Sequence, residues 1–121
     1  MTNLEPSRPA TYIVSGGASR LGAAFVRRIS EGGNNVIIGD LDEAAGTEIA
    51  DEFDESVVFC RCDVRRDEDL ADLVRCASDV FGGLDGIVNN AVSYLDNGIT
   101  SSRADWHAAF DVTLFGGAVL L

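Results

Sequence analysis

Two rhythms of apolar positions alternate along the chain. Four short stretches are nearly continuous apolar runs: residues 10–15 (ATYIVS), 35–40 (NVIIGD), 57–62 (VVFCRC) and 85–89 (DGIVN). Such runs, rich in β-branched residues, predict strands buried on both faces. Between them the apolar positions recur every three or four residues, which is the helical period. Residues 21–31 carry Leu21, Phe25 and Ile29, and Gly32-Gly33 ends that helix. Residues 43–53 put Ala45, Ile49 and Phe53 on one face. Residues 67–81 give the clearest stripe: Leu70, Leu73, Val74, Ala77, Val80 and Phe81, ended by Gly82-Gly83. A polar loop is expected over 92–103. One long helix is expected over 104–121, aligning Trp106, Ala109, Phe110, Leu114, Gly117, Leu120 and Leu121. Residues 1–9 contain both prolines and read as a flexible lead-in to a domain of residues 10–121.

Strand and helix thus alternate four times. Buried strands joined by helices imply an α/β fold, a Rossmann-type doubly wound parallel sheet with right-handed crossovers. The length of 121 residues fits one domain. Composition narrows the partners. All nine basic residues are Arg, and with 20 acidic residues the net charge is −11. That charge argues against nucleic acid or an anionic membrane as a partner, since both would repel it. No apolar run approaches a membrane span, and MTNLEPSRPA holds no apolar leader core. Three cysteines in such a chain predict reduced thiols and a cytoplasmic setting. His107 is the only histidine, so no His-based metal cluster is expected.

Candidate chemistry sits where strands end. The first strand runs into Ser15-Gly16-Gly17-Ala18-Ser19-Arg20-Leu21-Gly22. Glycine there permits a tight turn and a close approach of a pyrophosphate to the backbone. The free N–H groups and the positive end of the next helix then hold the anion. An ordinary strand-to-helix turn is the alternative. Asp40, followed by Leu41, ends the second strand 18 residues after Gly22. A carboxylate there can accept both ribose hydroxyls of an adenosine and repels a 2′-phosphate, which favours NAD over NADP. It can equally be a loop acid or a cap shared with Asp42. Asp63 can accept from an adenine amino group while Val64 packs on the ring, or Asp63 can serve the turn before the helix at Asp67. Asn89-Asn90-Ala91 ends the fourth strand, where amides line the crevice of a parallel sheet or simply form a turn. Cys60 and Cys62 share a strand face and read as buried structural thiols. Tyr94 and His107 read as surface or loop residues.

Together these residues resemble the classical short-chain dehydrogenase/reductase family. Ser15, Gly16 and Gly22 match its Thr-Gly-x-x-x-Gly-x-Gly turn, which takes in Ser19, Arg20 and Leu21. Asp40 matches the acid that implies NAD. Asp63-Val64 matches the adenine-contacting pair, and Asn90-Ala91 belongs to the match with Asn-Asn-Ala-Gly. Residues 106–116 (WHAAFDVTLFG) resemble Asp-Val-Asn-Leu-x-Gly. The resemblance covers residues 10–121 and implies a strand order 3-2-1-4. It also implies a nicotinamide dinucleotide cofactor and hydride transfer to or from a small alcohol or carbonyl substrate. A homo-oligomer formed through the 104–121 helix is implied as well.

Four departures stand out. Arg20 replaces the middle glycine, as in relatives that resemble pteridine reductases, and its cation favours a phosphate. Val92 replaces the last glycine of Asn-Asn-Ala-Gly. Thr113 stands at the family's catalytic Asn. The catalytic Ser and the Tyr-x-x-x-Lys pair are absent, and the chain contains no lysine at all. Tyr12 and Tyr94 therefore lack the lysine that would lower a tyrosine's pKa. The expectation is the cofactor-binding half of an oxidoreductase, inactive by itself and incomplete after four β-α units. Non-catalytic nucleotide binding and a subunit-interaction fragment are the alternatives. A flavodoxin-like domain leaves Asp40, Asp63 and Asn90 unexplained.

Overall fold

The computed structural model describes residues 8–93 and 98–121. Tyr94, most of the lead-in and part of the 92–103 stretch lie outside them. The elements run β1 (Thr11–Ser15), α1 (Arg20–Glu31), β2 (Asn35–Asp40), α2 (Glu43–Ala50), β3 (Val57–Arg61), α3 (Asp67–Phe81) and β4 (Gly86–Val88). A 3₁₀ turn (Gly98–Thr100) leads to α4 (Arg103–Phe110), a π-helical turn (Asp111–Gly116) and α5 (Gly117–Leu120).

The four strands form one parallel sheet in the order β3-β2-β1-β4. Ile13 pairs with Ile37 on one side and with Ile87 on the other. Strand alternation sends neighbouring side chains to opposite faces. Ile13 and Ile37 pack with Leu70, Leu73 and Ala77 of α3 and Leu120 of α5. Val14, Val36 and Ile38 pack with Ala23 and Val26 of α1 and Ile49 of α2. Both faces are covered, as a doubly wound sheet requires. Among the described residues no helix is long and apolar enough to cross a membrane.

Three helices differ from the extrapolated stripes. In α1 the buried row is Gly22, Ala23 and Val26, whereas Leu21 is 62% exposed. Gly22 has to meet the β1–α1 turn, and this contact rotates the helix by one position. α2 stops at Ala50; Glu52 and Phe53 donate to Ile49 and Ala50, a tighter i→i+3 turn. Phe53 still packs on the core from there. The expected 104–121 helix widens into a π turn at Asp111–Gly116. Its i→i+5 spacing breaks a stripe extrapolated at 3.6 residues per turn. Ala109, Gly116, Gly117 and Leu120 are buried, while Trp106, Phe110, Leu114 and Leu121 are exposed. The start of α4 is fixed by a reciprocal capping box between Ser102 and Asp105.

Leu73 is fully buried between α3 and the sheet. Leu73→Ala is expected to cost about 2–5 kcal/mol. Urea unfolding measures this; a loss under about 1 kcal/mol would mean the α3 contact is not a packed core.

Candidate active site

The β1–α1 turn lies directly against the end of β4. Ser15 Oγ, almost fully buried, accepts from the N–H groups of Asn90 and Ala91, both at 3.1 Å. It donates to Val88 O at 3.5 Å. Asn90 Nδ2 donates to Gly16 O at 3.1 Å. Gly16 has φ +67°, a left-handed conformation that suits glycine. A Cβ on Gly22 would lie 2.0 Å from Gly16 O and 2.6 Å from Asn90 Nδ2. No side chain fits there. The glycine spacing of the turn is thus a contact requirement between α1, β1 and β4.

A cleft of about 680 Å³ opens above these strand ends. The turn supplies Gly16, Ser19, Arg20 and Leu21; Asp40 ends β2 and Leu41 follows it; Asp63 and Val64 follow β3; Asn90 and Ala91 follow β4. Gly39, Cys62, Val92 and Val112 complete the lining. Gly22 stands behind the turn. Gly39 and Val112 went unnoticed in the sequence because their type carries no chemical signal. Only the register of β2 and the π turn expose them to the cleft.

The helix ends divide by their capping. Asp42 caps α2 by accepting from Ala45 N–H, α3 begins with Asp67, Glu68 and Asp69, and α4 has its capping box. In α1, Ser19 makes no side-chain cap and the first turn holds no acid. Its free N–H groups and positive dipole end remain available to an anion at the cleft. Arg20, φ +52°, opens this helix in the left-handed region. Such a backbone suits glycine, and it costs about 1–2 kcal/mol for an ordinary residue.

The two acids are held differently. Asp40 Oδ2 accepts from Ala18 N–H and Oδ1 from Asp42 N–H, both at 3.0 Å. A carboxylate offers about four acceptor positions, so about two remain. Asp63 is 9% exposed. Hydrogen bonds from the Arg65 side chain, aided by its backbone N–H and charge, hold Asp63 down from 3.8 to about 2 against the opposing effect of burial. Burial pushes the Cys62 thiol to about 12 and, with Cys76 beside it, the Cys60 thiol to about 11. Both are poor nucleophiles there. Thr113 Oγ1 accepts from Ser93 N–H at 3.1 Å. His107 lies away from the cleft, exposed beside Arg103, Trp106 and Phe110. Tyr12 is half-buried within β1. Among the described residues no group of three metal-ligating side chains converges.

This turn, sheet order and cleft can be set beside known proteins. The family model described as enoyl-(acyl carrier protein) reductase matches residues 16–121. The chain belongs to the short-chain dehydrogenase/reductase family. It is 42% identical over 82 residues to the 3-hydroxyacyl-CoA dehydrogenase type-2 of Drosophila melanogaster, covering 68% of this chain and 32% of that one. It is 47% identical over 79 residues to the L-fucose dehydrogenase of Bos taurus, covering 65% and 29%. A 3-ketoacyl-(acyl-carrier-protein) reductase from Brucella melitensis, solved with NADH, superposes with a TM-score of 0.87 at 24% identity. That match covers 92% of this chain and 46% of the other. The chain spans about a third of the length of these two curated dehydrogenases. For this short-chain dehydrogenase/reductase the likeness to the solved reductase carries the fold.

Two outcomes follow. Gly22→Ala is expected to break the Gly16–Asn90 hydrogen bond and destabilise the protein by roughly 1–3 kcal/mol or more, as overpacking does. Chemical denaturation reads the loss; an unchanged midpoint would contradict the contact. Asp63 is depressed in the folded state, so its stabilisation is present above the unfolded value and is lost as pH falls from 3.8 toward 2. Arg65→Gln is therefore expected to destabilise the protein at pH 7. The gap to wild type should close near pH 2, and a pH-independent gap would contradict the ion pair.

Proposed function

We propose that this chain binds a nicotinamide dinucleotide in the 680 Å³ cleft and serves a hydride-transferring oxidoreductase acting on a small alcohol or carbonyl. The observation that carries the reading is the uncapped, acid-free start of α1 beside the Gly16 turn. The residues present fit such a group. The α1 N–H groups and Ser19 take the pyrophosphate. Asp40 keeps about two acceptor positions for the ribose hydroxyls, and its charge disfavours a 2′-phosphate, which makes NAD the preferred form. Asp63 and Val64 hold the adenine, with Leu41 on the same side. Asn90 and Ala91 line the nicotinamide end. The bound dinucleotide supplies the hydride chemistry; the protein positions it and excludes water.

The 121 residues contain no lysine, so they build no lysine-assisted tyrosine. We propose that residues 10–121 are a cofactor-binding domain that turns over no substrate alone. NAD reduction with a panel of alcohols would refute this if turnover appeared. Exposed Trp106, Phe110, Leu114 and Leu121 support self-association through the 104–121 segment. The three free thiols suit a reducing setting such as the cytoplasm.

Calorimetric titration tests the cofactor. NADH is expected to bind more tightly than NADPH. Asp40→Ala should weaken NADH by about tenfold, the usual worth of a hydrogen bond to a charged group, and shrink that preference. Tighter NADPH than NADH in the wild type would overturn the choice of NAD. No binding of either would overturn the reading.

A further inference from the structure

We infer that Arg65 is a positioning residue that fixes Asp63 with one acceptor position turned to the cleft, and so makes the site select a purine bearing an amino group. The inference rests on the dinucleotide reading above and adds to it the residue that sets base selectivity.

The argument is an accounting of donors. Asp63 Oδ1 accepts Arg65 Nε at 2.9 Å and Arg65 N–H at 3.0 Å. Oδ2 accepts an Arg65 terminal nitrogen at 2.7 Å. Both acceptor positions of Oδ1 and one of Oδ2 are thereby filled. A single position is left, on a side chain that is 12% exposed and belongs to a residue lining the cleft. The planar fork of a guanidinium holds a carboxylate in one plane and one rotation, which an ammonium cannot do. The backbone is held too: Asp63 N–H donates to Asp69 Oδ2 at 2.9 Å, and Arg66 N–H donates to Asp63 O at 2.9 Å. Arg65 itself does not line the cleft, and Asp111 at the π turn adds to its electrostatic anchoring.

A fixed acceptor discriminates where a mobile one does not. Adenine presents an amino donor to it. Hypoxanthine presents a carbonyl oxygen at the same place, so two acceptors face each other. A carboxylate released from Arg65 can turn and accept the ring N–H of hypoxanthine instead, and the discrimination collapses.

The test compares NADH with its hypoxanthine analogue by calorimetry on wild type, Arg65→Gln and Arg65→Lys. The wild type is expected to prefer NADH by about tenfold, the usual worth of one hydrogen bond to a charged acceptor. Both variants should fall to about threefold or less, with Arg65→Lys recovering only part because it restores charge without the fork. Far-UV circular dichroism checks folding, and Arg65→Lys keeps the test open if Arg65→Gln does not fold. A merely structural role would weaken both ligands together and leave the ratio unchanged, which overturns the inference. Absence of preference in the wild type overturns it as well. Absence of NADH binding in the wild type overturns the dinucleotide reading, and this inference with it.

Discussion

The site depends on one close approach: Gly22 of α1 against Gly16 O, with Asn90 Nδ2 bonded to the same oxygen. Any Cβ at Gly22 would push α1 off the turn. Ser15 Oγ then ties the turn to β4 by accepting two N–H groups. The start of α1 and the end of β4 are joined into one wall of the cleft. Asp40 reaches back to Ala18 N–H and anchors the second wall. The cleft is thus held by a few buried polar contacts above a sheet packed on both faces by apolar clusters. Such contacts are costly to leave half made, which is why they specify one arrangement.

That local arrangement answers a problem of charge. A chain of net charge −11 repels an anion at long range. Salt screens most of this beyond about 8–10 Å. Within the cleft the acids are already engaged: Asp40 by two backbone donors, Asp63 by Arg65. The donors at the start of α1 are the ones left unspent. Capping α2 and α4 with their own side chains while leaving α1 open concentrates anion affinity at one end of one helix.

The fold was legible because its determinants are local. Buried strands of β-branched residues and helices closed by paired glycines identified β2 and α3 to the residue. The strand order followed from the family resemblance and stands as expected. Helix faces were less legible. Leu21, Phe25 and Ile29 recur at helical spacing, yet α1 buries Gly22, Ala23 and Val26, because the contact of Gly22 with the turn outweighs the larger apolar side chains. The π turn at Asp111–Gly116 left no periodic trace either. Within the site, the residue types at strand ends marked the turn and its acids. The hold of Arg65 on Asp63 was invisible, since an arginine two residues past an aspartate is common in any polar turn.

Arg20 shows how far the close approach governs its neighbours. Its φ of +52° is a conformation that a bulky residue adopts only when its surroundings impose it. Lying between the Gly16 turn and the close-packed Gly22, the arginine holds a backbone that suits glycine. The strain is then the cost of putting a guanidinium where the cleft meets the groove between α1 and α2, a groove that also holds Glu48 and Glu52. On the proposed reading this cation and Asp40 act oppositely on a 2′-phosphate. They are not equal opponents. Asp40 is fixed by two backbone N–H groups, so its charge stays in place at the cleft without further ordering. Arg20 is exposed and sits on a long side chain, so using its charge costs about 1–2 kcal/mol of rotamer entropy. On that reading the pre-positioned carboxylate sets the preference, and the arginine moderates it.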